Sequence, residues 1–256
     1  MSQARLFGGD GGLIPGVKGH GEMTTNNQVM SSLARATTAT LTTVLFKKGV
    51  RNVWIRGTAP LLPGQPKIVG PAFTLRFIAG REDINTPAAW SSPVSTRAAV
   101  EAMPSGCVAV ADALGTTDAG IFGDILCARM HARGVNGLVS DGVVRDRAGI
   151  IASELPTWCN GIAAPPAVAQ LAFAGWEQPI SCGGVAVFPG DIIVADDDGA
   201  IVIPVAMAED VASIAAEQED LETWILREVR NGHPLTGLYP LNAENEARYQ
   251  REMGRN

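Results

Sequence analysis

The sequence has no dense run of basic residues. Its 256 residues carry 20 Lys and Arg against 26 Asp and Glu, which gives a formal net charge of −6. Nucleic-acid binding needs a clustered positive surface, so we exclude nucleic acid as a partner. Hydrophobic residues make up 46% of the chain and charged residues 18%, which is typical of a folded globular protein.

Long apolar stretches are also missing. None approaches the roughly 20 residues that a bilayer-spanning helix needs. The N-terminus does not carry a basic segment followed by an apolar one, as a secretory leader does. These absences predict a protein without membrane association and with a cytoplasmic location.

Residue types that commonly hold zinc are few and scattered. The four cysteines never form a Cys-x-x-Cys pair, and the three histidines lie far apart in the sequence. We therefore predict buried, reduced thiols and no metal site built from His or Cys. The residues concerned are Cys107, Cys127, Cys159, Cys182, His20, His131 and His233.

Alternating helix and strand patterns predict an α/β domain over residues 28–232. Apolar residues at helical spacing predict helices over 29–48, 94–103, 121–133, 144–153 and 206–231. β-Branched runs predict strands over 52–55, 68–78, 108–111 and 137–142, and residues 180–204 predict three strands separated by turns at 189–191 and 196–199. We interpret residues 1–27 as an irregular arm, residues 161–174 as a connection of undefined form, and residues 233–256 as a C-terminal tail.

The region 112–150 carries the residues with the clearest chemistry. A glycine-containing loop leads into a predicted helix whose first turn is residues 123–126, and the free backbone N–H groups of such a turn favour an anion, such as a carboxylate. A predicted strand about twenty residues later ends at Arg145 and Asp146. Arg145 offers a planar fork that matches a carboxylate, and Asp146 offers hard oxygen ligands suited to Mg²⁺ or Mn²⁺. If the strand end and the helix start are adjacent, one pocket holds both a carboxylate and a metal ion.

The residues alone leave structural interpretations open. An Arg-Asp pair after a turn is common, and Asp124 also favours the positive end of its own helix. Aspartates in tight turns are favoured for local hydrogen bonding, so we interpret a second acidic group as structural rather than as a calcium site. That group consists of Asp191, Asp196, Asp197 and Asp198. The glutamates Glu217, Glu219 and Glu222 on the last predicted helix are typical of a solvated face.

Four features in order along the chain point to a known family. They are the Gly-Asp-Ile-Leu turn at 123–126, the run ARGVNGLVSDGVVRD ending at Asp146, the PGD turn at 189–191, and the strand ADDDGAIVIP ending at Pro204. With them, the segment from about Thr38 to Gly232 resembles the family of the regulator of ribonuclease activity A and the 4-hydroxy-4-methyl-2-oxoglutarate aldolases, also called 4-carboxy-4-hydroxy-2-oxoadipate aldolases. The resemblance implies an α/β fold of the swivelling β/β/α sandwich type. It also implies a homo-oligomer, a trimer or a hexamer, with sites between protomers.

The resemblance further implies a role for each motif residue. Asp146 would bind Mg²⁺ or Mn²⁺ directly, and Asp124 would hold the ion through a water molecule. The pyruvyl carboxylate of a substrate would be held by Gly123, by the backbone N–H groups of Ile125 and Leu126, and by Arg145.

Two further positions follow from the same resemblance. The aldolases draw a glutamate from the last helix across the subunit interface toward metal-bound water, and Glu222 is our choice for it. Many members have an acidic residue on the first helix where this chain has Thr43, in the run TATLTTVL. That departure places the chain in a divergent branch and leaves the substrate open.

These expectations predict a metal-dependent lyase that cleaves a 4-hydroxy-2-keto acid by retro-aldol chemistry, releases pyruvate, and decarboxylates oxaloacetate as a side activity. Only four lysines occur, Lys18, Lys47, Lys48 and Lys67, and none lies in the motif region, which disfavours a Schiff-base mechanism. Two alternatives remain open. One is a lyase or dehydratase acting on a sugar-derived hydroxy acid, and the other is a non-catalytic regulator that binds an enzyme partner.

Overall fold

The computed structural model describes residues 27–254, and these form seven α-helices and eleven β-strands. The helices are α1 (Asn27–Arg35), α2 (Thr38–Lys47), α3 (Thr96–Ala102), α4 (Asp124–Ala132), α5 (Arg147–Ala152), α6 (Ala208–Arg230) and α7 (Ala243–Glu252). The strands are β1 (Trp54–Ile55), β2 (Ala59–Pro60), β3 (Ile68–Ala79), β4 (Val108–Asp112), β5 (Gly137–Ser140), β6 (Thr157–Cys159), β7 (Leu171–Trp176), β8 (Ile180–Cys182), β9 (Val185–Val187), β10 (Ile192–Asp196) and β11 (Gly199–Ile203). The predicted arm lies outside the described residues, apart from Asn27.

Nine of the strands form one mixed sheet in the order β1-β11-β10-β3-β4-β5-β6-β2, with β7 paired to the second half of β3. Strands β3, β4, β5 and β6 are parallel to one another. Strands β8 and β9 form a separate hairpin. Because parallel strands end at the same edge of a sheet, the loops that follow β4 and β5 lie side by side.

Alternate residues of the strands enter different cores. On β4, Ala109 and Ala111 face a core formed with α3, α4 and α5, whereas Val108 and Val110 face a core that the β8–β9 hairpin closes. Strands β10 and β11 also contribute to this second core, and their opposite face packs against α1, α2 and α6. Such burial on both faces explains why β4 reads as a continuous apolar run.

The helix predicted over 29–48 is wrong in one respect, since it is broken between Arg35 and Thr38 into α1 and α2. Thr37 has an extended backbone and caps α2 by accepting a hydrogen bond from the Thr40 N–H at 3.1 Å. The Lys67 ammonium donates to the Ala36 carbonyl, and Glu219 on α6 accepts from the Thr37 N–H at 2.8 Å. Side chains distant in the sequence therefore form hydrogen bonds with the backbone C=O and N–H groups that have no helical partner at the break.

Several elements were not predicted. Strands β6 and β7 lie in segments without a clear strand pattern, and the Gly183-Gly184 turn divides 180–204 into four strands instead of three. Helix α7 lies in the predicted tail and packs on the end of α6 through Trp224, Leu238 and Tyr249. Within residues 27–254, none of the helices is long and apolar enough to cross a bilayer.

Candidate active site

The predicted site residues lie at the carboxyl edge of the parallel strands. Strands β4 and β5 pair in register up to Ala111 and Ser140, and the chain after each strand turns back into a helix. The two segments that follow run beside each other, because the Ile121 N–H donates to the Val143 carbonyl at 3.0 Å and the Arg145 N–H donates to the Phe122 carbonyl at 2.9 Å. These extended residues explain why α4 and α5 begin three residues later than predicted.

The first turns of α4 and α5 contact each other through two glycines. A Cβ built on Gly123 would lie 2.5 Å from Asp146 Oδ2, and one built on Gly149 would lie 2.5 Å from the Cβ of Asp124. Each aspartate is therefore seated against a glycine of the other helix or its cap. This arrangement brings Asp124 and Asp146, which are 22 positions apart in the sequence, to one place.

Asp146 combines a strained backbone with an accessible carboxylate. It is the N-cap residue of α5, with φ 57° and ψ 43°, and its side chain makes no capping hydrogen bond. Non-glycine residues in this left-handed region are uncommon and concentrate at functional sites. The carboxylate instead accepts from Arg145 Nε at 3.1 Å.

Arg145 and Asp146 form an ion pair whose side chains are 36% and 41% exposed. Ion pairs exposed to this degree contribute little to stability. A ligand can therefore separate the two groups at small cost, which leaves the guanidinium available to an anion and the carboxylate available to a cation.

The start of α4 is only partly open to an anion. The Ile125 N–H donates to Asp124 Oδ1 at 2.7 Å, so an incoming carboxylate would have to replace Asp124 there. The Ile125 side chain is 79% exposed, whereas Leu126 packs against the core.

The donor set fits a hard divalent cation that keeps part of its shell of water. Among residues 27–254, no group of three or more His, Cys, Asp or Glu side chains is placed to hold a metal ion. Mg²⁺ is commonly held by one or two carboxylates together with water and substrate oxygens. Asp146, with Asp124 opposite, meets that requirement, and Gly123 leaves the space in which the Asp146 carboxylate sits.

Two other carboxylates were missed from the sequence, and both hold the loop after β4. Asp141 accepts from the N–H groups of Ala113, Gly115 and Gly183 at 2.7, 3.2 and 3.1 Å. Burial raises the pKa of the Asp141 carboxyl. Asp112 accepts a hydrogen bond from the Leu114 N–H at 3.2 Å. The signal in the sequence was an aspartate at the end of each of two buried strands.

The predicted residue Glu222, and Thr43 at the position where the chain departs from the family pattern, both lie between or on other helices. Glu222 accepts from Gln218 Nε2 at 2.8 Å and from Thr40 Oγ1 at 3.5 Å, between α6 and α2. Its role across a subunit interface stays a prediction. The Thr43 hydroxyl donates to the Ala39 carbonyl of its own helix.

The remaining side chains agree with structural interpretations. All four cysteines are buried free thiols, as predicted, and burial raises the pKa of Cys107 and Cys127 to about 12. The turn aspartates form local hydrogen bonds: Asp191 accepts from Phe188 at 2.9 Å, and Asp196 accepts from Asp198 at 3.0 Å.

Comparisons with known proteins point to the same family that the sequence resembles. Residues 38–202 match the family model described as RraA-like: Aldolase/RraA. The chain is 34% identical over 153 residues to a protein of Halalkalibacterium halodurans named "Putative 4-hydroxy-4-methyl-2-oxoglutarate aldolase", and the match covers 60% of this chain and 67% of that protein. It is 31% identical over 183 residues to protein DlpA of Legionella pneumophila, which covers 72% of this chain but only 28% of DlpA.

A solved structure supports the predicted α/β fold. The chain superposes on Streptomyces coelicolor RraAS2, described as an unusual member of the RNase ES inhibitor RraA protein family, with a TM-score of 0.70 and 33% identity. The superposition covers 78% of this chain and 96% of RraAS2.

Proposed function

We propose that this chain, which belongs to the RraA-like Aldolase/RraA family, is a divalent-metal-dependent lyase that cleaves a 4-hydroxy-2-keto acid and releases pyruvate. The observation that carries the proposal is the seating of Asp124 and Asp146 against Gly149 and Gly123, beside the Arg145 guanidinium. The aldolase name of the H. halodurans relative supports the same chemistry.

The roles of the residues are those that the family resemblance implies, and the chemistry of the side chains fits them. Asp146 would hold Mg²⁺ or Mn²⁺ directly. A bound divalent ion supplies Lewis-acid stabilisation of the negative charge that develops on the 2-keto oxygen. Arg145 would bind the carboxylate next to that keto group, and the first turn of α4 would add the N–H groups of Ile125 and Leu126.

Asp124 would accept the proton of the 4-hydroxyl through a water molecule, and the C4 oxygen then becomes a carbonyl as the C3–C4 bond breaks. The electron pair of that bond passes to the pyruvyl enolate, whose carboxylate Arg145 keeps in place. Protonation at C3 gives pyruvate. Oxaloacetate would lose CO₂ through the same enolate.

Metal removal tests the proposal. We expect EDTA to abolish pyruvate release from 4-hydroxy-2-keto diacids, and Mg²⁺ or Mn²⁺ to restore it, after subtraction of the reaction without protein. Full turnover after exhaustive chelation would contradict a metal-dependent site. A panel of aldonic acids run in parallel distinguishes the lyase or dehydratase that acts on sugar-derived acids.

A non-catalytic regulator is the second candidate, and the description of S. coelicolor RraAS2 favours it. A regulator does not need Asp146 in a left-handed conformation with its carboxylate packed against a glycine. Absence of turnover on both substrate panels, together with absence of Mg²⁺-dependent binding of oxalate, would favour the regulator.

We also propose a trimer or a hexamer. The family resemblance implies that a glutamate of the last helix reaches the site of a neighbouring protomer, and Glu222, which accepts hydrogen bonds from Thr40 and Gln218 between α2 and α6, is our choice for it. A monomer by light scattering that keeps full lyase activity would contradict this assembly.

A further inference from the structure

The side chain of Arg145 crosses a neighbouring backbone segment at two glycines. A Cβ built on Gly120 would lie 2.8 Å from the Cβ of Arg145, and one built on Gly123 would lie 3.4 Å from its Cγ. Farther along the side chain, Arg145 Nε donates to the Asp146 carboxylate at 3.1 Å. The path that the arginine takes to the ion pair therefore depends on two positions that carry no side chain.

The close approach of Arg145, and not the backbone conformation, requires glycine at position 120. Gly120 does not have the positive φ that favours glycine. A Cβ there would lie 2.8 Å from the backbone nitrogen of Arg145 and 2.9 Å from the carbonyl carbon of Val144, and Cβ atoms essentially never come within 3.0 Å of such atoms. Backbone atoms cannot rotate away as the end of a side chain can. A larger residue would therefore displace the segment that carries Arg145.

Gly120 is buried and held from its other side. Its N–H donates to the Pro165 carbonyl at 2.9 Å, and it forms a parallel bridge with Pro166. On the near side, the Arg145 N–H donates to the Phe122 carbonyl at 2.9 Å. Gly120 thus lies between a hydrogen-bonded neighbour and Arg145, so added volume at Gly120 is directed toward Arg145.

We propose that Gly120 is a positioning residue for Arg145, which sets where the guanidinium lies relative to the Asp146 carboxylate. The inference rests on the proposed function, in which Arg145 binds the carboxylate next to the keto group. Gly120 itself touches neither the substrate nor the metal ion. Gly123 has the corresponding relation to Asp146, so two separate glycines seat the anion-binding group and the metal-binding group.

A double-mutant cycle on oxalate affinity tests this role. Oxalate is the probe because it resembles the pyruvyl enolate, and calorimetry at saturating Mn²⁺ separates its binding from metal binding. We expect Gly120→Ala to lower oxalate affinity about tenfold or more, because a displaced guanidinium loses its charge-assisted bond. In the Arg145→Ala background, the same substitution should change oxalate affinity by less than about twofold, because the group that it displaces is absent.

The matched control is Gly137, at the start of β5 and at the opposite end of that strand from the site. A Cβ there would lie 2.8 Å from the Pro156 carbonyl oxygen and 2.6 Å from Ile68 Cδ1, so Gly137→Ala crowds the same sheet to a similar degree. We expect Gly137→Ala to keep oxalate affinity within about twofold of wild type. Thermal melts of every variant show whether it is folded.

If Gly120→Ala does not fold, ¹⁵N relaxation of Arg145 Nε in the wild-type protein provides a second measurement. A side chain seated over the two glycines should be as rigid as the backbone on the picosecond to nanosecond timescale. Loss of the signal in Arg145→Lys assigns it. Motion as free as that of Arg251, an exposed arginine on α7, would overturn the inference.

The outcomes of the cycle are distinct. Equal loss of oxalate affinity in both backgrounds would mean that Gly120 only packs two segments together. A loss in Gly137→Ala as large as in Gly120→Ala would mean the same. Either result overturns the role of Gly120 and leaves the proposed function intact. A folded wild-type protein that does not bind oxalate in the presence of Mn²⁺ would overturn the proposed function, and this inference with it.

Discussion

The Asp146 carboxylate lies against the backbone of Gly123, so close that a Cβ on Gly123 would be 2.5 Å from Asp146 Oδ2. Gly123 is the N-cap residue of α4 and has an ordinary extended backbone, with φ −124° and ψ −173°. Its lack of a side chain is therefore required by the space that the carboxylate occupies and not by its own conformation.

Gly123→Ala should leave the fold intact but disturb the site. The backbone accepts alanine, and the Asp146 carboxylate is the end of a side chain that can rotate away. We expect metal affinity to fall by roughly 10- to 100-fold, which is typical when a residue that positions a metal ligand is changed. Calorimetric titration with Mn²⁺ beside a thermal melt tests this. Unchanged affinity would show that Asp146 is not the ligand.

Gly149→Ala provides a contrast, because the obstructing atom there is the Cβ of Asp124 at 2.5 Å. A Cβ cannot rotate away, so α4 and α5 must separate. We expect a loss of about 1 to 3 kcal/mol in the free energy of unfolding, as for overpacked sites, although alanine by itself favours a helix. Urea denaturation measures it. A more stable variant would contradict the contact.

Arg145 and Asp146 are adjacent in the sequence, but replacing them with alanine should have different effects on metal binding and turnover. Asp146→Ala removes the only direct protein ligand proposed for the metal, so metal affinity and turnover should fall together, with partial recovery at high Mn²⁺. Arg145→Ala should keep metal binding and lose a charge-assisted bond to the substrate carboxylate. We expect about 2 to 4 kcal/mol of lost transition-state stabilisation, or roughly 30- to 1,000-fold in kcat/KM.

Calorimetry and steady-state kinetics on both variants, with circular dichroism as the folding control, distinguish these expectations. If both variants bind metal and keep near-wild-type activity, Arg145 and Asp146 do not form the active site.

The cysteines should be unreactive while the chain is folded. With a pKa of about 12, Cys107 and Cys127 present roughly one thiolate in 10,000 at pH 8. Cys159 and Cys182 are also buried, and burial raises the pKa of both. We expect negligible reaction with Ellman's reagent until denaturant is added, and then four thiols per chain. Rapid titration of any thiol in buffer would show that the protein opens locally.

The sequence predicted the elements whose pattern is local. Strand β4, helix α4 and helix α6 each have a continuous apolar run or a helical period, and the structure confirms them. Strand β7 depends instead on a distant partner, since Phe173 pairs with Phe77 across an irregular register. A six-residue run of mixed composition gives no local signal for such pairing.

The candidate site shows the same division. The motif residues were identifiable because Arg145 and Asp146 are adjacent in the sequence, so their chemistry can be recognised without the structure. Gly149 and Asp141 could not be identified from the sequence, because their roles depend on contacts with residues distant in the chain. Gly149 packs against Asp124, and Asp141 accepts hydrogen bonds from N–H groups of the loop after β4. A glycine in a predicted helix or an aspartate after a strand is too common to single out.

The docking of α7 on α6 depends on buried charge. Glu228 has a side chain only 2% exposed, and it receives hydrogen bonds from Arg248 on α7 and from Arg227. Burial alone raises the pKa of the Glu228 carboxyl, but the two arginines outweigh it and hold that pKa below its ordinary value. Glu252, paired with Arg227, also has a lowered pKa.

Acid should therefore release α7 before the rest of the chain unfolds. A carboxyl with a lowered pKa contributes stability above its unfolded pKa of about 4.3 and loses that contribution as the pH falls through the folded value. The Trp224 indole N–H, which donates to Glu252 at 3.0 Å, should lose its protection from solvent exchange below about pH 4 in NMR spectra. The Trp158 indole, which donates to the backbone carbonyl of Asp196, should stay protected and serves as the internal control.

Glu228→Gln should weaken the packing of α7 on α6 already at neutral pH, because a neutral amide cannot replace the charge that faces two arginines. Simultaneous loss of both indole signals would instead mean that α7 and the main sheet unfold as one unit.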